Sequence, residues 1–408
     1  MQSDWPSGFP GINWLDRQEE EAVLDVVRKG ALFRYYGRQR PTYVSQLERY
    51  ACEYYGIRRT LAVNSGTGAL CTAMSALGIG PGAEVIVPAF LWVATVTAVI
   101  QSNAIPVLCE VDDSFNMDPN DLAQKITERT RLIAVVHMAG APCHMEAIMR
   151  VADERNIPVL EDCAQCNGGS FRGRKVGTFG KAGIFSFQIN KNCTAGEGGL
   201  LATNNETLYT RLVAAHDLGV PWKGNQPDET GDLHFWGQGR RMGELTGAVA
   251  HVQLRKLPQV VAHMKASKRR ITEALGQMKD VSFRRLNDPD GDTGPFLILT
   301  FADEARAVAT ARRLTENAIE NVFHLSEYGL HIYHNIHSLV KTVPLSPAGN
   351  PWSLPQNAGR DFNYGKGACP RSDDLFDRSV IITIPSRLTE QQEKDMVQGI
   401  RQAINAVD

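Results

Sequence analysis

One lysine follows an apolar, strand-like run and precedes a glycine-rich turn. Residues 183–187 read G-I-F-S-F and predict a buried strand, Lys191 follows Ser186 by five residues, and residues 196–199 read G-E-G-G. Burial lowers the pKa of an amine and makes it a nucleophile. Either Lys191 forms a Schiff base with pyridoxal phosphate, with Ser186 near the phosphate of that cofactor, or it is an ordinary loop lysine.

A second candidate is the turn N-S-G-T-G at residues 64–68, which contains Ser65, Gly66 and Thr67. It follows a short predicted strand, 61–63, and opens a predicted helix with an apolar stripe. The free backbone N–H groups at the start of a helix suit a phosphate. The alternative is a simple helix cap, with no ligand.

Short β-rich runs alternate with helical stretches between residues 84 and 162. The predicted strands are 85–87, 106–108, 132–136 and 159–160. This alternation indicates a mostly parallel sheet covered by helices on both faces, which is the α/β class. Ligands of such sheets bind at the carboxyl ends of the strands, where Trp92, Asp162 and Gln165 fall.

Asp162 directly follows a buried strand, so its carboxylate is predicted to be buried. A buried carboxylate needs a cationic partner, and a protonated pyridine nitrogen would be one. Such a pair keeps the cofactor ring an electron sink. An aspartate that caps a helix is the alternative, although it leaves the neighbouring Glu161 unexplained.

The remaining chain predicts a second, smaller unit. The polar, glycine-bearing residues 219–240 are expected to cover a site or to reach a partner subunit. We predict a large domain over 1–264 and a small α+β domain over 265–408. Other predicted helices are 16–29, 44–55, 206–215, 241–257, 268–278, 305–315 and 389–406; other predicted strands are 200–203, 281–283, 296–301 and 380–383.

Composition limits the possible partners. The chain has 408 residues and a formal net charge of −2, so it carries no basic surplus for a nucleic acid or an anionic membrane. Small polar molecules are the expected partners. The apolar runs are too short to span a bilayer, and no signal peptide is evident, so a cytoplasmic location is expected. The eight cysteines lack disulfide-framework spacing and are predicted to be reduced.

Two patterns could hold a metal, and both have a simpler interpretation. Cys163 and Cys166 form a C-x-x-C without a second pair at zinc-ribbon spacing, which favours two buried thiols. His331, His334 and His337 have a spacing of three that could line a helix face, but mixed exposed histidines are favoured. No metal is therefore predicted.

Four sequence blocks are informative when they are taken together: N-S-G-T-G, V-P-A-F-L-W-V-A-T, E-D-C-A-Q and F-S-F-Q-I-N-K-N-C-T-A-G-E-G-G. In order and separation they resemble the DegT/StrS family of pyridoxal-phosphate sugar aminotransferases, and the resemblance covers nearly the whole chain. It implies the aspartate aminotransferase-like fold type I and a homodimer with active sites at the subunit interface.

The resemblance also implies roles for single residues. Lys191 would be the Schiff-base lysine. Asp162 would face the pyridine nitrogen and Gln165 the ring hydroxyl, while Trp92 would stack on the ring. The cofactor-binding set is completed by the turn and by two further residues: Ser65, Gly66, Thr67, Ser186 and Arg240.

Arg240 enters this set because of a departure from the family. Relatives commonly carry an asparagine that reaches the neighbouring subunit's phosphate, in the pattern G-x-N-x-R-M-S-E. Residues 237–244 here read G-Q-G-R-R-M-G-E, so Gly239 replaces that asparagine. A glycine offers only its backbone, whereas Arg240 could grip phosphate oxygens with two donors.

The implied activity is ping-pong transfer of an amino group from glutamate or glutamine to a keto or aldehydo sugar or cyclitol. Relatives that dehydrate sugars carry histidine in place of the lysine, so Lys191 favours transamination. The alternatives are a pyridoxal-phosphate-binding sensor without turnover and a different sugar-modifying enzyme using pyridoxal or pyridoxamine phosphate. Residues 286–297 and 31–35 are similar to octulosonate transaminase-like members, but this similarity does not assign a substrate.

Overall fold

The computed structural model describes residues 5–35, 42–220, 222–223, 226–227, 233, 236–317, 319 and 321–407. Its helices are α1 Arg17–Lys29, α2 Tyr43–Tyr55, α3 Gly66–Ala76, α4 Val93–Gln101, α5 Pro119–Lys125, α6 Met145–Glu154, α7 Glu206–His216, α8 Glu244–Leu275, α9 Glu304–Glu316, α10 His337–Val340, α11 Pro370–Asp377 and α12 Glu390–Asn405. Its strands are β1 Arg59–Val63, β2 Glu84–Pro88, β3 Ile105–Cys109, β4 Thr130–Val136, β5 Val159–Asp162, β6 Ser170–Phe171, β7 Arg174–Lys175, β8 Ala182–Ser186, β9 Gly199–Thr203, β10 Trp222–Lys223, β11 Gln226–Pro227, β12 Val281–Phe283, β13 Phe296–Phe301, β14 Val322–His324 and β15 Ser379–Thr383.

A seven-stranded sheet forms the centre of the larger unit, in the order β1-β9-β8-β5-β4-β2-β3. Strands β3, β2, β4, β5 and β8 pair in parallel, and β9 runs antiparallel to both of its neighbours. Every residue of β2, β5, β8 and β9 is buried, as expected for strands covered on both faces. The predicted α/β class and mostly parallel sheet are confirmed.

The sheet delivers the predicted site residues to one edge. Asp162 is the last residue of β5 and Ser186 is the last residue of the adjacent parallel strand β8. The start of α3 follows β1, and α4 begins just after β2 with Trp92 as its N-cap. Crossover helices return the chain to the same edge each time, so distant sequence blocks meet there.

A four-stranded antiparallel sheet, β12-β13-β15-β14, forms the second unit. Its core is continuous with α9, α12 and the end of α8, where Ile271 and Leu275 are buried. Apart from the region of α8, the helices and strands with predicted bounds are present, with ends within two residues of the prediction.

The prediction was wrong for residues 241–278, because the two expected helices are one 32-residue helix, α8. Pro258 lies inside it, directly after the end predicted for the first of the two helices, although proline in a helix interior removes a backbone hydrogen bond. The first half of α8 packs on α1 and α2 and the second half on α12, so tertiary packing stabilises the continuous helix. The boundary between 1–264 and 265–408 falls inside α8, and that division stays a prediction.

Candidate active site

A cavity of about 330 Å³ lies at the carboxyl edge of the large sheet. It collects eight of the nine predicted site residues from four separate segments. These are Ser65, Gly66, Thr67, Trp92, Asp162, Gln165, Ser186 and Lys191. The wall also includes Gln188, Asn190, Glu197 and His331, to which the sequence analysis assigned no role in binding.

Asp162 is a buried carboxylate with neutral hydrogen-bond donors. Its Oδ2 accepts a hydrogen bond of 2.9 Å from the Thr95 hydroxyl, and its Oδ1 accepts one of 3.0 Å from the Ala164 N–H. Burial raises the pKa of Asp162, and these donors together with the charge of Lys191 oppose that rise. Within the described residues no ion pair is formed by Asp162, so a cation in the cavity would stabilise it.

Lys191 lies in the loop between β8 and β9, where burial lowers the pKa of its amine and the charge of Asp162 opposes that change. Backbone hydrogen bonds fix the loop: the N–H of Lys191 donates to the Gln188 carbonyl and the N–H of Gly11 donates to the Lys191 carbonyl, both over 3.0 Å. An amine held in this way, with a lowered pKa, is suited to attack a carbonyl carbon.

The turn at the start of α3 forms the opposite side of the cavity. Ser65 is the N-cap, and its hydroxyl accepts a hydrogen bond of 2.9 Å from the Gly68 N–H. A Cβ on Gly66 would lie 2.8 Å from the Cβ of Ser186, so only glycine allows the helix to approach β8 this closely. The result is a helix N-terminus beside two serine hydroxyls, a recurring anion-binding arrangement.

An aromatic wall closes one side of the cavity. The ring of Trp92 lies 4.7 Å from that of His331, and His331 stacks on Tyr328 at 4.2 Å between ring centroids. Trp92 itself is 40% exposed, so its indole face is available to a ligand.

The histidine prediction was wrong in part. His331, His334 and His337 lie in three separate short helical turns rather than on one helix face. His331 is half-buried in the cavity wall, and only His337 is exposed. The bridge between Phe90 and Ile332 brings this segment beside β2, a contact across more than 200 residues that local sequence patterns do not reveal.

The side chain of Gln165 is held by a backbone N–H group of the segment that follows β4. Its Oε1 accepts a hydrogen bond of 3.0 Å from the Ala139 N–H, which leaves its amide N–H groups to face the cavity. The Ala139 carbonyl in turn accepts a hydrogen bond of 3.1 Å from the buried guanidinium of Arg284, a residue of the smaller unit. Both units thus contribute to the position of Gln165.

Glu161 has a structural role that the sequence left unexplained. Its buried carboxylate accepts hydrogen bonds from the N–H groups of residues 177, 179 and 180 at 2.6 to 2.8 Å and one of 3.2 Å from Nε2 of His137. Glu161, His137 and Cys163 lie close enough to share an ion. The Nδ1 of His137 already accepts from the Cys143 N–H at 3.0 Å, and these bonds account for the burial of the group.

Arg240 is the one predicted site residue that does not line the cavity. Its guanidinium lies along α3, donating to the hydroxyl of Thr72 over 3.5 Å and to the side-chain oxygen of Gln238. Its backbone carbonyl accepts from the Asn64 N–H over 2.9 Å, so it is attached to the turn that opens α3. Phosphate contact by Arg240 stays a prediction, and ten of the 22 residues of the predicted loop over 219–240 lie outside the described residues.

The residues present fit pyridoxal phosphate at three points. Buried Asp162 suits a protonated ring nitrogen, the α3 turn suits a phosphate, and the amine of Lys191 lies in the same cavity. Trp92 and Gln165 add an exposed aromatic face and a fixed amide. The volume suits a cofactor of this size, since ligand pockets span about 300–1,000 Å³.

Comparisons with known proteins agree with this geometry. The DegT/DnrJ/EryC1/StrS aminotransferase family matches residues 14–346. A glutamine:2-deoxy-scyllo-inosose aminotransferase of Streptomyces fradiae is 34% identical over 329 residues, which cover 78% of this chain and 72% of that protein. The GDP-perosamine synthase of Escherichia coli O157:H7 is 42% identical over 172 residues, which cover 42% of this chain and 47% of the synthase.

Solved structures give the same fold. The aminotransferase from Psychrobacter cryohalolentis superimposes with a TM-score of 0.81 at 26% identity, covering 99% of each chain. A 3-amino-5-hydroxybenzoic acid synthase superimposes with a TM-score of 0.79 at 26% identity, covering 96% of this chain and 97% of that one. The extent of the family match and the fold lead to one conclusion: the chain belongs to the DegT/DnrJ/EryC1/StrS family and is a pyridoxal-phosphate-dependent aminotransferase of fold type I.

Proposed function

We propose that this aminotransferase takes an amino group from glutamine or glutamate and transfers it to a keto or aldehydo sugar or cyclitol, with Lys191 as the Schiff-base residue. The observation that carries the proposal is the shared cavity of Lys191, Asp162 and the turn that opens α3. The names of the relatives, which include two inosose aminotransferases that use glutamine, support this choice of donor and acceptor.

Each residue has a separate task in this proposal. Pyridoxal phosphate supplies the electron sink that stabilises negative charge on the substrate carbon. Lys191 would hold the cofactor covalently and, once displaced by an incoming amine, its Nζ would take up the proton that leaves the substrate carbon and later return one. A lowered pKa favours this work because the free amine must be neutral to accept a proton.

The surrounding residues orient and tune the cofactor. Asp162 would keep the ring nitrogen protonated, with Thr95 holding the carboxylate in place. Trp92 would cover one face of the ring and Gln165 would donate to the ring oxygen. Ser65, Gly66, Thr67 and Ser186 would hold the phosphate, so the cofactor is fixed at both ends before substrate arrives.

The rival functions are less well supported. A sensor without turnover is less well supported because the family and the relatives that match this chain are named as aminotransferases. A sugar-modifying enzyme that uses the cofactor without transferring the amine is not favoured either, because Lys191 is present at the position where dehydrating relatives carry histidine.

We also propose that the protein is a homodimer located in the cytoplasm. Large apolar side chains are exposed on α1, on the segment before α2 and at residues 218 and 236; Trp236 is 92%, Leu218 65% and Val27 57% exposed. Exposed apolar surface of this kind is typical of a subunit interface. Eight free cysteines, seven of them buried, support a reducing compartment. No helix of the described residues is long and apolar enough to cross a membrane.

A spectral experiment tests the function. Glutamine or glutamate added to the purified holoenzyme should convert the visible spectrum of the cofactor to its pyridoxamine form and release the corresponding 2-oxo acid. A keto cyclitol added next should restore the original spectrum. Binding of the amino acid without spectral conversion would favour the sensor, and conversion without recovery across a panel of sugars and cyclitols would refute the acceptor class.

A further inference from the structure

A second chamber of about 250 Å³ adjoins the cofactor cavity. The two share Gln165, Asn190, Lys191 and His331, so a ligand in the second chamber reaches the amine of Lys191 directly. The far wall comes from the N-terminal segment and from the smaller unit. These far-wall residues include Phe9, Pro10, Phe296, Asn321, Phe323 and Thr383.

We propose that this chamber binds the amino acceptor and that it takes an unlinked polyhydroxylated ring ketone, a cyclitol or free monosaccharide, in preference to a nucleotide-linked sugar. The inference rests on the proposed aminotransferase function and names the acceptor more narrowly. It is carried by the lining and the size of the chamber.

The lining suits a neutral ring with hydroxyl groups. Aromatic rings run continuously from the cofactor cavity into the chamber, because Tyr328 stacks on His331 and packs against Phe323 at 5.0 Å between centroids. Asn321 and Thr383 add neutral polar groups at the far end. Apolar faces with a few placed hydrogen-bonding groups are the usual lining of a small-ligand site.

His331 supplies an acceptor at the junction of the two cavities. Its Nδ1 donates to the Tyr328 carbonyl over 3.1 Å, which leaves Nε2 as an acceptor for a hydroxyl. Burial lowers the pKa of His331 to about 4, so the ring is neutral at physiological pH. A neutral imidazole can accept a hydrogen bond from an uncharged hydroxyl, but it offers no positive charge to bind a phosphate.

The charges of the lining disfavour a nucleotide diphosphate. Among the described residues that line the second chamber, Lys191 is the only lysine or arginine, and in the proposed function the cofactor would engage it. Recognition of a diphosphate draws on arginine, lysine or a helix N-terminus. The N-termini of α3 and α4 line the cofactor cavity and not this chamber.

The N-terminal segment forms one wall of the chamber. The N–H of Gly11 donates to the Lys191 carbonyl, and a Cβ on Gly11 would lie 3.0 Å from that oxygen. Ser386 of the smaller unit donates to the Pro10 carbonyl over 2.7 Å. Phe9 and Pro10 are thus fixed across the chamber, whose volume lies below the range of about 300–1,000 Å³ of drug-sized ligands.

The first test compares two acceptors on the holoenzyme charged with glutamine. One is 2-deoxy-scyllo-inosose and the other is a GDP-linked keto sugar. We expect kcat/KM to favour the unlinked ring by about a hundredfold or more. Preference for the GDP-linked sugar would overturn the inference while leaving the aminotransferase function intact. Failure of glutamine and glutamate alike to convert the cofactor spectrum would instead refute the function itself.

The second test locates the acceptor. Thr383→Val is nearly isosteric and removes one hydroxyl from the chamber, whereas Thr300→Val makes the same change on β13, outside both cavities, where the hydroxyl pairs with Ser379. We expect Thr383→Val to raise KM for the unlinked ring about fivefold, the effect of one lost hydrogen bond. Thr300→Val should leave both this KM and the rate of cofactor conversion by glutamine within about twofold of the wild-type values. Equal KM values for the two variants would place the acceptor elsewhere.

Discussion

The hydroxyl of Thr95 donates a 2.9 Å hydrogen bond to Oδ2 of Asp162, which joins the first turn of α4 to the end of β5. Both partners are buried, so the bond is shielded from solvent. It favours the charged carboxylate against the desolvation that raises the pKa of Asp162. Thr95 therefore supports the buried carboxylate that would hold a protonated ring nitrogen.

Thr95→Val should weaken cofactor binding about tenfold, because a hydrogen bond to a charged group contributes roughly 1.5–3 kcal/mol. Spectral titration of the apoenzyme with pyridoxal phosphate measures the change. Thr97→Val is the matched control: it lies on the same helix, and within the described part of the chain its hydroxyl bonds only the Val93 carbonyl, at 3.0 Å. Equal dissociation constants for the two variants would show that the Thr95 bond does not tune Asp162.

Lys191→Ala should lower kcat by at least about a thousandfold and remove the imine that borohydride can reduce, because it deletes both the covalent attachment and the proton carrier. Mass spectrometry after reduction shows whether the cofactor is attached. Lys181→Ala is a control, since Lys181 is exposed at the edge of β8 and outside the cavity. A reducible imine that survives in the Lys191 variant would assign the attachment to another lysine.

The sequence predicted much of the site because its residues sit where strands end and helices begin. Asp162, Ser186 and the α3 turn are fixed by local patterns: an apolar strand followed by a polar residue, or a glycine- and hydroxyl-rich cap. Parallel pairing then brings these ends to one edge. Local chemistry together with one topological rule was sufficient there.

Other residues depended on long-range packing that no local pattern reports. His331 reaches the cavity because its carbonyl accepts a 2.9 Å hydrogen bond from the Leu91 N–H, across 240 residues. Thr95 lay within a recognised block but was assigned no role, since its partner Asp162 comes from another block. The continuity of α8 through Pro258 likewise follows from packing on α1, α2 and α12, which outweighs the local preference for a break.

His216 should make folding stability depend on pH. It is buried between the Val213 carbonyl and the Tyr35 hydroxyl, and burial lowers its pKa to about 3. The unfolded chain, with an ordinary histidine pKa near 6.5, binds more protons between these values, so stability is retained above about pH 6.5 and is lost as the pH falls toward 3. Between pH 7 and pH 5 the titration of His216 should lower the free energy of unfolding by about 2 kcal/mol.

Urea unfolding of the wild type and of His216→Gln at pH 7 and pH 5 measures that loss. The free energy of unfolding of the variant should differ less between pH 7 and pH 5 than that of the wild type, whatever the stability of the variant at pH 7. His337→Gln changes an exposed histidine and should keep the wild-type difference. An unchanged difference in the His216 variant would mean that His216 does not stay neutral in the folded chain.

The last two predictions concern residues 239 and 240, where this chain departs from the pattern that is common in the family. Arg240 lies against α3, so a modest shift of its guanidinium toward the α3 turn would add two donors to a bound phosphate. Arg240→Ala should therefore weaken pyridoxal phosphate binding several-fold, the effect of about 1 kcal/mol. Arg241→Ala is a poor comparison because Arg241 pairs with buried Asp217, and its loss would leave that charge unpaired. Arg241→Lys keeps the charge and is the better control.

Gly239→Asn should tighten cofactor binding by up to about tenfold if a partner subunit brings this loop to the phosphate, since the side-chain amide supplies a donor that the glycine lacks. The backbone permits the change: the nearest atom to a Cβ there is 3.6 Å away, at the tip of the Arg241 side chain. Because the contact would come from a second copy of the chain, the gain should appear only at protein concentrations where the dimer forms. Cofactor titration at two protein concentrations measures this gain, and sedimentation determines the oligomeric state at each concentration. Residue 239 does not reach the phosphate across an interface if the gain is the same for monomer and dimer, or if the dimer shows no gain.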